Sequence, residues 1–180
     1  SLLRGYCAPV NLEWDATDRQ LAFLLANDSD AFNRWEAGQQ LAMRRLVALT
    51  QAVMQHQPLT LDNAVIDAFS SALANEALDA AFKREVLMLP SEAAIGSKMS
   101  ILDPSAIRVA RIFMSKQIAQ VLKEQWVKCF WAHQSSEKYS PDPLSMGKRA
   151  LKNLALAYWL ETGDLEAIKA AKRQYKKADN

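Results

Sequence analysis

The chain has 180 residues, half of them apolar and 23% charged, which is enough apolar material for one buried core and too much for disorder. A formal charge of +2 is too small to mark the whole surface for nucleic acid or an anionic membrane. Two cysteines far apart in sequence, Cys7 and Cys129, give no disulfide framework and fit reduced thiols in a cytoplasmic protein.

Residues 1–14 differ from the rest of the chain. Gly5 and Pro9 interrupt them, and from Val10 the pattern alternates, with Val10, Leu12 and Trp14 on one side and Asn11 and Glu13 on the other. That is a strand, and a single strand is marginal without a partner. The expected division is therefore a strand or linker at 1–14, paired with polypeptide outside this sequence, and a helical domain at 15–180. A start at Ser1 rather than methionine agrees with that expectation.

Helix signals then come in quick succession. The Asp15 to Asp18 stretch caps a helix to about Asn27. A start near Ser29 leads a long helix to about His56, with Phe32, Trp35, Ala42, Leu46, Leu49 and Val53 on its apolar stripe. Pro58 punctuates. Residues 61–74 form a helix with Val65, Ile66, Phe69 and Leu73 inward, and 77–87 form another, stopped at Pro90. A short helix is expected over 91–98.

Asp103 and Pro104 supply a cap and a proline at the first helical position. The helix after them is expected to run unbroken to about His133 as the longest in the chain. Its stripe is Ile107, Ala110, Met114, Ile118, Val121, Leu122, Trp126 and Cys129, with Val109, Phe113, Val127 and Trp131 off it. After a polar loop, Asp142 and Pro143 repeat the device and open a helix to about Glu161. Gly163 ends it, and Asp164 caps a last helix. The expected fold is all-α, an irregular, solenoid-like layered array of about eight helices. No repeat period is visible, so a regular tandem array is not expected.

The chemistry missing from the sequence is informative. A helical zinc peptidase site needs two histidines one turn apart with a glutamate between them. The chain has only His56 and His133, and neither precedes a glutamate. The two closest glycines, Gly147 and Gly163, are sixteen positions apart, which removes phosphate-cradling and dinucleotide loops. Glu36, Glu85, Glu92 and Asp103 carry acid–base groups, but no spacing pairs them. No catalytic, substrate-binding or metal-ligating residue is therefore assigned to this sequence. The basic run Lys169, Lys172, Arg173, Lys176 and Lys177 reads as a solvated helix end complementing its dipole rather than as a nucleic-acid surface. No apolar run reaches the roughly 20 residues that a membrane-spanning helix requires.

Several segments resemble a known family. SLLRGYCAPV at 1–10 is similar to the SLLRxFSAPV stretch of bacterial aminopeptidase N, with Tyr6 and Cys7 for the usual Phe and Ser. DSDAFNRWEAGQ at 28–39 resembles that family's DSDxFxRWEAxQ block. LPSE at 89–92, Asp103 with Pro104, and RALKN at 149–153 fall in the family's order. The resemblance implies part of a zinc metallopeptidase that removes N-terminal residues from peptides: the end of its β-sandwich domain at 1–14 and the front of its C-terminal helical domain at 15–180. It implies zinc in the parent enzyme but none here, because the H-E-x-x-H and G-x-M-E-N motifs of the catalytic domain are absent. The implied partners are the catalytic and β-sandwich domains of the same polypeptide and the parent's peptide substrates, with no nucleic acid and no membrane. The implied role is to enclose the active-site cavity and limit access. The competing reading is a free-standing helical module that binds peptides or proteins in a groove.

Overall fold

The computed structural model describes residues 16–135 and 139–178. The strand expected at 10–14, the division at residue 14, the decapeptide at 1–10 and Cys7 lie outside them. Among the described residues there are nine helices and no strand: α1 (Asp18–Asn27), α2 (Ala31–Met54), α3 (Asn63–Ala74), α4 (Ala80–Leu87), α5 (Glu92–Gly96), α6 (Pro104–Val121), α7 (Lys123–Ala132), α8 (Pro143–Glu161) and α9 (Leu165–Lys177). None of the described helices is long and apolar enough to cross a membrane.

Short polar side chains set most of the starts. Asp30, Asp62, Asp79, Asp103, Asp142 and Asp164 cap α2, α3, α4, α6, α8 and α9, each accepting a backbone N–H from the first turn. Thr17 and Gln20 close a reciprocal capping box on α1, and Ser91 caps α5. Each such cap satisfies an orphan donor and contributes about 1 kcal/mol. Gly163, at φ 74°, closes α8, and its N–H donates to the Leu160 carbonyl at 3.0 Å.

The block at 28–39 is a joint between helices. Asp28 accepts the Asp30 N–H at 2.8 Å and Asp30 caps α2, while Arg34 reaches back to the Leu25 and Ala26 carbonyls at 2.9 and 3.0 Å. Arg34 thereby caps the C-terminal end of α1 with a cation, where the dipole favours one. LPSE at 89–92 is a second joint. Arg111 donates to the Pro90 carbonyl at 2.9 Å and Gln39 to the Met88 carbonyl at 3.1 Å, so α6 and α2 both hold the turn between α4 and α5.

The helices share one apolar cluster running from Ala16 to Ala170. Helix α1 packs on α2 and α3, α2 on α6 and α4, and α8 on α4, α6 and α7. Helix α9 lies against α8, and its Arg173 reaches the Trp131 ring of α7. Trp126 is fully buried and stacks on Tyr158 at 4.3 Å, and the Tyr158 hydroxyl donates to the Leu87 carbonyl at 3.0 Å. One side-chain pair thus ties α7, α8 and α4. Burying a residue of this size contributes several kcal/mol.

The expected single helix over 104–133 is broken at Leu122 (φ −100°, ψ 19°), so α2 is the longest helix and the count is nine. Neither proline nor glycine causes the break. The Trp126 indole N–H points back to the Ile118 carbonyl at 3.4 Å, which the Leu122 N–H already occupies at 3.1 Å. That oxygen thus accepts from both donors at the end of α6. The stripe shifts with it: Leu122 is buried, whereas Val121, expected inward, is 61% exposed. Of the off-stripe residues, Phe113 and Val127 pack partly on the core, and Val109 and Trp131 are each 48% exposed.

Candidate functional site

The acid–base residues of the sequence are scattered and mostly structural. Glu36 accepts the Gln40 amide at 2.8 Å, Glu85 pairs with Arg84, Glu92 is exposed in the first turn of α5, and Asp103 caps α6. His56 is exposed beyond α2 in a left-handed conformation (φ 55°), and His133 lies just past the end of α7. Among the described residues no three His, Cys, Asp or Glu side chains converge in a way that could hold a metal ion. Zinc, which the resemblance implies for the parent, therefore does not fit these residues.

One nucleophile and one base do meet. Cys129 and His133 are one turn apart at the end of α7, with Sγ and Nδ1 at 3.8 Å. The pair is not set up for catalysis. Nδ1 lies 2.8 Å from the Cys129 carbonyl, where the imidazole must present an N–H, so it offers the thiol no basic lone pair. Burial pushes the thiol up to about 11, against a smaller opposing pull from the Lys83 charge. A buried, protonated thiol is a core group.

The feature with concerted chemistry is a cleft of about 1230 Å³ where the end of α7 meets α8 and α9. Helix α8 contributes Lys148, Arg149 and Lys152, within about one turn of one another, and the last turns of α9 contribute Arg173 and Lys177. The Arg149 guanidinium lies over the Tyr139 ring at 4.6 Å and the Arg173 guanidinium over Trp131 at 5.8 Å. Trp131 is itself held by Phe130 and Trp159, with ring centroids at 5.1 and 6.4 Å. Gln174 donates to Asn153 at 2.8 Å, fixing α9 on α8. No carboxylate lines the cleft among the described residues, and none of the five cations is ion-paired with a described residue. Lys152 is pulled below the usual lysine range, first by burial and then by the Arg149 charge.

Sequence reading singled out Arg173 and Lys177 as part of a solvated helix end. It missed the α8 half of the cleft and both rings. The available signal was Lys148, Arg149 and Lys152 at helical spacing; that Trp131 and Tyr139 join them depends on tertiary packing.

Residues 18–180 match a family described as a domain of unknown function (DUF3458_C), ARM repeats. A stack of helix pairs needs only that neighbours bury matched faces, so such an architecture can lack a visible sequence period. The chain is 37% identical over 153 residues to aminopeptidase N of Caulobacter vibrioides, covering 85% of this chain and 17% of that protein. It is 34% identical over 158 residues to aminopeptidase N of Escherichia coli, covering 88% and 18%. The chain therefore spans less than a fifth of the length of these relatives. Among solved structures it is similar to Legionella pneumophila aminopeptidase A in complex with aspartic acid, with a TM-score of 0.78 and 21% identity over 98% of this chain and 21% of that one. That likeness concerns the fold.

Proposed function

The chain belongs to the DUF3458_C family of ARM-repeat domains, and from its similarity to aminopeptidase N we propose that it serves as the non-catalytic helical domain of a zinc-dependent aminopeptidase, enclosing the cavity in which N-terminal residues are removed from peptides. One observation carries the reading: similarity to aminopeptidase N extends over most of this chain yet accounts for under a fifth of those proteins, and the described residues hold no metal-ligand set. In this reading the zinc and the reacting groups belong to other domains of the same polypeptide, peptides are the substrates, and the protein is cytoplasmic.

The surface supports such a role. Phe23, Phe32, Ile101, Leu102, Val109 and Leu165 are large apolar side chains exposed on this chain and available to contact neighbouring domains. Walls of helices around a catalytic cleft exclude bulk water and restrict entry to chains thin enough to thread in.

The test compares the purified 180-residue chain with the full product of the reading frame that encodes it, using alanyl p-nitroanilide and peptides of increasing length. The full product should release N-terminal residues in a chelator-sensitive manner and favour short peptides, while the chain alone releases none. Chelator-sensitive release by the homogeneous chain, or no release by the full product, refutes the proposal.

A further inference from the structure

We propose that the cleft between α7, α8 and α9 is a binding site for a compact chain of phosphate groups, held by Lys148, Arg149, Lys152, Arg173 and Lys177. Charge density is the first reason. Some cations elsewhere meet carboxylates, as Arg45 meets Asp18 and Asp62 and Lys123 meets Asp164, and others stand singly on the surface. In the cleft five cations face a common concavity with no carboxylate among its described lining residues. Such an arrangement is self-repelling, and Lys152 registers it, since burial and the Arg149 charge both disfavour its ammonium form. A multiply charged anion relieves that cost.

The kind of cation narrows the ligand. A guanidinium presents a planar fork of donors that matches phosphate oxygens. Arg149 and Arg173 are each held against a ring face, so they have little side-chain freedom left to lose on binding. A single carboxylate would engage one fork and leave most of the positive charge uncompensated. A linear triphosphate, charged on every unit, can bridge the α8 and α9 cations together. It can come from inorganic polyphosphate or from the tail of a nucleotide.

The test is isothermal titration of the 180-residue chain at low ionic strength with tripolyphosphate, ATP, orthophosphate and a single-stranded oligonucleotide of matching charge. Tripolyphosphate should bind at one site per chain, at least about tenfold more tightly than orthophosphate. The double variant Arg149→Gln, Arg173→Gln should weaken it at least about tenfold, whereas Lys169→Gln, on the Glu166 pair outside the cleft, should leave it unchanged. Circular dichroism and thermal melting of the variants verify that they fold. Tighter binding of ATP than tripolyphosphate assigns the site to a nucleotide tail, and equal or weaker binding assigns it to the inorganic chain. The proposal is overturned by no saturable binding, by orthophosphate binding equally well, by binding that survives the double variant in folded protein, or by the oligonucleotide binding more tightly than both phosphate chains.

Discussion

Cys129 is 8% exposed, and burial pushes its thiol from 9.0 up to about 11. It stays protonated across a range in which the unfolded chain ionises. This group's contribution to stability is therefore complete below about pH 9 and is lost as pH rises towards 11. At pH 8, alkylation of Cys129 by iodoacetamide should be at least about 100-fold slower in the native chain than in urea, since a two-unit shift removes that much thiolate. Peptide mapping separates it from Cys7, and native labelling as fast as in urea would show that α7 opens readily. The type and position of Cys129 were plain in the sequence, and its assignment as a reduced thiol agrees with the structure. That its turn-mate His133 cannot act as its base was not legible, because that depends on the contact of Nδ1 with the Cys129 carbonyl.

Between elements, close approach of backbones sets what a position tolerates. A Cβ on Gly147 would lie 2.9 Å from the Ala81 Cβ and 3.0 Å from its backbone nitrogen, so α8 sits directly against the start of α4. A Cβ on Gly38 would meet only Leu25 and Val86 side chains at 3.4–3.6 Å. Gly147→Ala should therefore lose about 1–3 kcal/mol through overpacking. Gly38→Ala should be neutral or gain up to about 1 kcal/mol from helix propensity. Urea denaturation of both variants checks the contrast, and equal effects would contradict the packing described. The starts of α6, α8 and α9 were legible because Asp103, Asp142 and Asp164 cap locally, two of them before a proline, whereas α2, α3 and α4 begin one to three residues later than expected, at caps Asp30, Asp62 and Asp79. The break at Leu122 was not legible, because no proline or glycine marks it and the stack of Trp126 on Tyr158 that follows it joins helices distant in the chain.

Across the whole molecule, one cluster links α1 to α8, whereas α9 adds chiefly Ala167 and Ala170 and its backbone lies against α8. Its firmest tether is Asp164, which meets Lys123 at 2.8 Å, Trp159 at 3.1 Å and the Glu166 N–H at 2.9 Å. Lys123 foremost, then the Glu166 N–H and the Trp159 indole, draw this carboxyl down to about 2. Stability from the tether is thus present above about pH 4 and is lost as pH falls through 2. Hydrogen exchange should show α9 amides as the least protected of the long helices, with protection falling further on acidification through that window. Equal protection of α9 and α6 would contradict it.

By itself the sequence determined the all-α class, the region of most helix starts, the inward face of α3, most of that of α2 (Phe32, expected inward, is exposed), and the lack of a peptidase motif. These come from short-range rules: caps, proline placement and apolar spacing act over a few residues and survive any tertiary arrangement. It also carried the family resemblance, part of it in blocks that the structure explains as joints, such as Arg34 closing α1. The tertiary structure alone decided that α6 and α7 are separate, that Val121 faces out, and that cations of α8 and α9 meet the rings of Trp131 and Tyr139 in one cleft. Those outcomes depend on which helices become neighbours, and packing between residues distant in the chain settles that.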